Sequence, residues 1–201
     1  AASLERLRNR IAKDKTTEAI FALVREDAES LLTAAPVEYR KQGKRLLSVS
    51  REVIRRVLCL SLVYRVTEDP KFASRALLEM ETAAVFENWN PSHFLDVAEM
   101  TTALAIAYDW LHPLLNTDQE ALIRRAILEK GIAPSYLTRH GWVRGHNNWN
   151  QVCHGGMVLG ALAILDHEPG LAAGVIVRAL DGLPYAMRTY EPDGVYVEGP
   201  S

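Results

Sequence analysis

The sequence predicts an all-α protein, and three observations predict it. Apolar residues recur at the 3.6-residue period of a helix along most of the 201 residues. Strand-like alternation is nearly absent. The periodic segments are separated by residues that cap helices or make turns. Hydrophobic residues make up 48% and charged residues 24% of the chain, a globular balance that excludes a disordered or collagen-like protein.

The elements follow in order. From Thr17 to Leu32, Ile20, Phe21, Val24, Ala28, Leu31 and Leu32 share one helical face. From Leu46 to Val66, Val49, Val53, Ile54, Val57, Leu58, Leu60 and Val63 nearly surround the axis, as in a helix buried on most sides. Asp69-Pro70 reads as an N-cap with proline in the first turn. The helix it opens runs through Leu77, Leu78, Met80 and Val85 to Phe86. Asn88-Trp89-Asn90-Pro91-Ser92-His93 is a turn-forming stretch. Leu95 to Leu115 is another mostly apolar helix. Thr117-Asp118-Gln119-Glu120 reads as a capping box, with Thr117 and Glu120 serving the first amides. Its helix runs to about Lys130, where Gly131 is the expected stop. Val152 to Asp166 is apolar and rich in small residues, which admit a neighbouring helix or a ligand close to the backbone. Gly170 to Tyr190 is the last helix, with a bend expected near Pro184. Pro192-Asp193-Gly194 is a turn signal, and Val195-Tyr196-Val197 begins a short strand or an extended loop.

Strongly apolar helices begin near Leu46, Leu95 and Val152, with more amphipathic ones between them. That spacing, roughly 50 residues, suits helical hairpins. Two architectures accommodate it: an open solenoid, or an incomplete (α/α) toroid over residues 1–201. The toroid accounts better for the alternation, with apolar helices inside, amphipathic ones outside, and the loops at one end lining a cleft.

The balance of 23 basic against 25 acidic residues gives a net charge of -2 and no global case for a nucleic-acid or membrane-surface partner. No apolar run reaches the ~18 residues of a membrane span. Cys59 and Cys153 are too few for a disulfide scaffold or a four-cysteine zinc site. His140, His146, Cys153 and His154 follow no standard zinc spacing, so no metal or other cofactor is expected. The start, Ala1-Ala2-Ser3-Leu4-Glu5, lacks the blocks of a signal peptide, although a signal removed upstream leaves export open.

One segment is chemically unusual. Tyr136 to Gly156 holds Arg139, Arg144, His140, His146 and His154, the amides of Asn147, Asn148, Asn150 and Gln151, and Trp142 and Trp149, but no Asp or Glu. A basic, aromatic patch on a nearly neutral protein suits an anionic ligand with apolar faces, such as a sugar ring carrying a carboxylate or sulfate. Tryptophan packs on the ring face, and arginine and amides bind its polar edge. Trp89, Trp142 and Trp149 fall in loops or at helix starts, as a carbohydrate cleft requires, whereas Trp110 reads as core. The same Asn147-Asn148 pair also suits plain N-capping of the helix that follows. His93, Asp96 and Glu99 form either a second polar group on the cleft or a charge pair at a helix N-terminus.

Three stretches together resemble the heparinase II/III-like polysaccharide lyase family. The first is His93-Phe94-Leu95-Asp96-Val97-Ala98-Glu99-Met100 with Ala107-Tyr108-Asp109-Trp110-Leu111. The second, the most specific, is His146-Asn147-Asn148-Trp149-Asn150-Gln151-Val152-Cys153-His154-Gly155-Gly156. The third is Tyr190-Glu191-Pro192-Asp193-Gly194-Val195-Tyr196-Val197-Glu198-Gly199-Pro200-Ser201. The resemblance implies the helical toroid part of a catalytic domain acting on alginate, heparin, heparan sulfate or chondroitin-like glycans in the periplasm or outside the cell. It implies β-elimination: the C5 proton of a uronate is removed and the glycosidic oxygen at C4 leaves. That chemistry needs donors that neutralise the carboxylate, a base at C5 and an acid at the leaving oxygen. By the match, Asn148 neutralises the carboxylate, with Asn147 the second choice. His146, Arg144, Trp142, Trp149 and Trp89 are subsite residues, and Tyr196 and Glu198 lie near the cleft.

The family's catalytic tyrosine follows the Glu-Gly-Pro segment, and its assisting histidine comes from a C-terminal β-sandwich. The chain ends at Ser201, so it is expected to be an N-terminal portion without lyase turnover of its own. An open toroid would also expose apolar surface on its last helix and favour self-association. The competing expectations are a helical-repeat interaction protein, a glycoside hydrolase or epimerase, and a non-catalytic glycan-binding module. A hydrolase would need two facing carboxylates, for which Asp96, Glu99, Asp193 and Glu198 are the candidates.

Overall fold

The computed structural model describes residues 2–196, and every regular element among them is helical. Helix α1 spans Ala2–Lys13 and α2 spans Lys15–Leu31. Asp14 separates them and caps α2, its carboxylate accepting from the Thr17 amide at 2.8 Å. Helix α3 (Leu47–Thr67) ends at Glu68, whose left-handed φ of 61° turns the chain at once into α4 (Pro70–Val85). Asp69 caps α4 through the Lys71 amide, with Pro70 in the first turn, as the sequence predicts. Helix α5 (Phe94–Leu111) closes with a 3₁₀ turn at His112–Leu114.

Two expected boundaries move. The capping box of α6 (Thr117–Ala126) sits one residue earlier than predicted. Asn116 is the cap and Gln119 its reciprocal partner, at 2.9 and 3.1 Å. Asparagine and glutamine present the same acceptors as the threonine–glutamate pair next door, so the spacing alone fits both registers. Gly131 does not stop this helix. It lies buried inside a π-helical stretch, Ile127–Ile132, that continues α6. A Cβ there would come within 2.6 Å of the Thr101 hydroxyl and 3.2 Å of the Trp89 ring, so glycine is kept for close packing rather than for termination.

The chain then makes a single turn, α7 (Pro134–Leu137), and a 3₁₀ turn at Gly141–Arg144 before α8 (Asn148–Ala163). Helix α9 (Pro169–Met187) carries Pro184 in its last turn, and a 3₁₀ turn follows at Arg188–Tyr190. Gly194 takes a φ of 86° in the predicted turn. Val195 and Tyr196 form no strand, and Val197 and Glu198 lie outside the described residues.

The three strongly apolar segments, α3, α5 and α8, lie side by side. They run parallel. At one end the Leu46 amide at the head of α3 donates to Asp96 in the first turn of α5, and the His93 ring meets the Trp149 ring at the head of α8. At the other end Arg65 of α3 donates to the Trp110 carbonyl of α5. Helices α4 and α6 return on one side of this row, and α9 returns along α8. Two of the small residues of α8 admit a helix, while Gly155 faces open space. Gly156 faces the Ala98 backbone of α5, and Gly160 faces Thr101. Gly156→Ala would drive a methyl into the Ala98 carbonyl, a backbone atom that cannot rotate away. We expect a loss of about 1–3 kcal/mol in urea denaturation. An unchanged midpoint would show that the α5–α8 contact is looser than this.

Beneath the loop before α3, buried Glu79 accepts from Arg56, Arg75 and the Val37 amide. On the outer face of α9, Val177 and Leu180 are 58% and 66% exposed, one turn apart. This is the apolar exposure expected of the last helix.

Candidate functional site

Because α3, α5 and α8 are parallel, the three loops that enter them meet at one end of the molecule. All three helix N-termini point there, and their dipoles add positive potential. The loops add formal charge: Arg40, Lys41, Lys44 and Arg45 before α3, and Arg139 and Arg144 before α8, all exposed.

Asp96 ties this end together. It is fully buried. One carboxylate oxygen accepts from the Leu46 amide and from Asn90 Nδ2, both at 2.6 Å, and the other meets His93 Nδ1 at 2.6 Å. Asn90 takes a left-handed φ of 60° and also donates to the Lys44 carbonyl. Asparagine tolerates that conformation better than most residues. Asp96 is therefore a structural staple rather than a free acid. Glu99 is committed too, paired with Arg51 at 3.1 Å.

The loop before α8 is pinned from below by Asn150. Its amide nitrogen lies within 3.0–3.1 Å of the Trp142, Val143 and Gly182 carbonyls. His154 Nε2 donates to the Val143 carbonyl at 3.0 Å. Gly182 of α9 allows this approach, since a Cβ there would collide with His154 and Val143. Burial holds the His154 imidazole below its ordinary pKa and pushes the Cys153 thiol up. Both are internal groups, neither poised for proton transfer nor for nucleophilic attack. Asn150 was legible only as one amide among four. Its placement two residues after Asn148, on the opposite side of α8, was the available signal.

The predicted residues divide. Asn147 and Asn148 head α8 with exposed side chains. Asn147 has cap geometry, but its side chain makes no cap hydrogen bond, and neither amide is bonded within the described residues. Plain capping therefore does not account for the pair. Trp149 is half-buried, its ring edge-on to His93 with centroids 4.8 Å apart. His146 is exposed and donates from Nδ1 to the Tyr185 carbonyl at 3.0 Å, which leaves Nε2 as its second nitrogen. Arg144 lies over the Tyr185 ring at 5.6 Å. Gln151, one turn beyond Asn148, bonds the Tyr190 hydroxyl at 3.1 Å, and Tyr190 stacks on Tyr196 at 4.9 Å.

Two tryptophans do not line this face. Trp89 is completely buried and donates its indole N–H to the Ala83 carbonyl at 3.0 Å. Trp142 is 5% exposed, enclosed by the rings of Phe94, His140 and His154. Both occupy loops, but the helix ends above and below close over them. Trp110, expected in the core, is only half-buried. Among the described residues no three histidine, cysteine or acidic side chains gather as a metal site, and no helix is long and apolar enough to cross a membrane.

A scan against protein-family models and a search of curated proteins found no match to this chain. The site is therefore read from its own geometry.

Proposed function

We propose that this end of the helix array binds a uronate-containing polysaccharide, and that the chain is the toroid portion of a lyase of the heparinase II/III-like kind. The observation that carries this is the Asn147–Asn148 pair. Two exposed amides without an internal partner head α8, inside a rim of cations, beside an indole and two stacked phenols. The adjacent carboxylates Asp96 and Glu99 are already bonded.

In this reading the amide N–H groups of Asn148 and Asn147 donate to the substrate carboxylate. They draw off the charge that develops when C5 loses its proton, and they cannot themselves lose a proton near neutrality. Trp149 supports the sugar face, and Arg144 and His146 hold neighbouring polar groups. Gln151 orients the Tyr190 hydroxyl on the same side. A hydrolase is less well supported, because Asp96 and Glu99 are not free to act as a facing acid and base. The self-association expected of an open toroid would use the Val177–Leu180 stripe of α9.

Titration with an alginate-derived hexasaccharide tests the reading. We expect Asn148→Ala and Trp149→Ala each to weaken binding about tenfold, roughly 1.4 kcal/mol, with no binding of a neutral hexasaccharide. Equal affinity of the Asn148→Ala variant and the parent chain, or equal binding of the neutral glycan, would overturn it.

A further inference from the structure

A second cationic cavity lies between the loop before α8 and Arg178 of α9, and it shares Arg144 with the Asn147–Asn148 face. It encloses about 350 Å³ and is lined by Ser135, Arg139, His140, Arg144 and Arg178, with the Tyr136 ring at its edge. No carboxylate lines it.

Arg178 is the unusual member. It projects from the middle of α9 and is about half-buried. Its two terminal nitrogens donate to the carbonyl and the hydroxyl of Ser135, at 2.9 and 2.6 Å. Its guanidinium lies 3.8 Å from the Tyr136 ring centroid. Among the described residues it has no ion-pair partner, and its Nε is buried without a hydrogen bond. Two other enclosed guanidiniums differ: Arg56 and Arg75 share Glu79, and both sit against a full negative charge. Burial lowers the Arg178 pKa, and the Tyr136 phenol, not a carboxylate, acts in opposition. A guanidinium stays charged in a protein, so the desolvation cost is met here only by neutral dipoles and a ring face. Arg139 and Arg144, both exposed, bring two more positive charges to the mouth of the same cavity.

We propose that this cavity is a binding site for a compact oxyanion of the sulfate or phosphate type, held between Arg178 at its base and Arg139 and Arg144 at its mouth. The ligand supplies the negative charge that the fold does not place beside Arg178, and the planar guanidinium donors suit its oxygens. A free inorganic anion and the sulfate ester of a glycan share this chemistry. The site does not depend on the glycan reading of the neighbouring face.

Isothermal titration of the whole chain with inorganic sulfate, at fixed ionic strength against chloride, tests the proposal. We expect saturable sulfate binding at one site, weakened at least tenfold in Arg178→Gln. The double variant Arg139→Gln/Arg144→Gln should lose binding similarly, and its exposed positions keep the test valid if Arg178→Gln fails to fold. Methyl-galactose sulfate competing for the site would identify a glycan ester as an admissible source, and failure to compete would restrict the ligand to the free anion. Absence of saturable sulfate binding, or affinity unchanged in the double variant, would overturn the proposal. Sulfate binding that persists where the alginate hexasaccharide does not bind would leave this cavity standing and remove only the glycan reading.

Discussion

Asp96→Ala should destabilise the protein by about 3–5 kcal/mol, the range for removing one partner from a buried charged network. The carboxylate is fully buried and serves three donors from three places: the Leu46 amide at the head of α3, Asn90 in the loop before α5, and His93 beside it. Without it, two donors remain enclosed without an acceptor, and His93 loses the group that fixes its ring against Trp149. Asp96→Asn should fall between, since one oxygen survives but the new NH₂ group faces donors. Urea denaturation gives the stability, and intrinsic fluorescence reports the environment of Trp149. A loss below about 1 kcal/mol in Asp96→Ala would mean that water or rearranged loops replace the carboxylate with little cost.

Glu79→Ala should have an effect of similar size, about 3–5 kcal/mol, at the opposite side of α3. Here one buried carboxylate faces two guanidiniums, those of Arg56 and Arg75, which are 14% and 8% exposed. It also accepts from the Val37 amide at 3.1 Å and so anchors the loop that carries Arg40 and Lys41. Alanine leaves Arg75 enclosed with only the Ala34 carbonyl as partner, while Arg56 keeps Glu52 and the Ala35 carbonyl. Replacing Glu79, Arg56 and Arg75 together by apolar residues of similar volume should recover most of the loss. The cost lies in stranding charge rather than in the worth of the pair itself. If the triple variant is as unstable as Glu79→Ala, the cluster contributes attraction beyond its own desolvation. Both outcomes are read from the denaturation midpoint and slope.

Much of the helical layout was legible in order along the chain. The apolar segments beginning near Leu46, Leu95 and Val152 became α3, α5 and α8, and the Asp69-Pro70 signal caps α4 where expected. Periodicity and capping are local, so they survive without knowledge of the partners. The errors arose where two neighbouring residues satisfied the same local rule, as Asn116 and Thr117 do, or where glycine had two uses. Gly131 reads as a helix stop in isolation but is a contact point for Thr101 and Trp89 in the fold.

The candidate site divides the same way. Its composition was visible as a stretch of arginine, histidine, amide and indole groups lacking acids, because charge is counted along the chain. Which of those groups face outward was not visible. Trp89 and Trp142 look available in a loop, yet neighbouring helix ends bury them, while Asn147 and Asn148 remain exposed. Asn150 gained its role from the Trp142 and Val143 carbonyls and from Gly182 of α9, 32 residues further along, and Arg178 from Ser135, 43 residues earlier.

The sequence by itself determined that this chain is helical, which faces of its helices are apolar, and that one stretch is cationic and free of acids. All of these are properties of residues and their near neighbours. Only the tertiary structure decided that three helix heads meet at one end, that Asp96 and Glu79 are internal staples, and that Arg178 has no acid beside it. Those outcomes depend on contacts between residues distant in the chain, and burial turns the same side chain from a solvated charge into a buried one whose partners must be supplied by the fold.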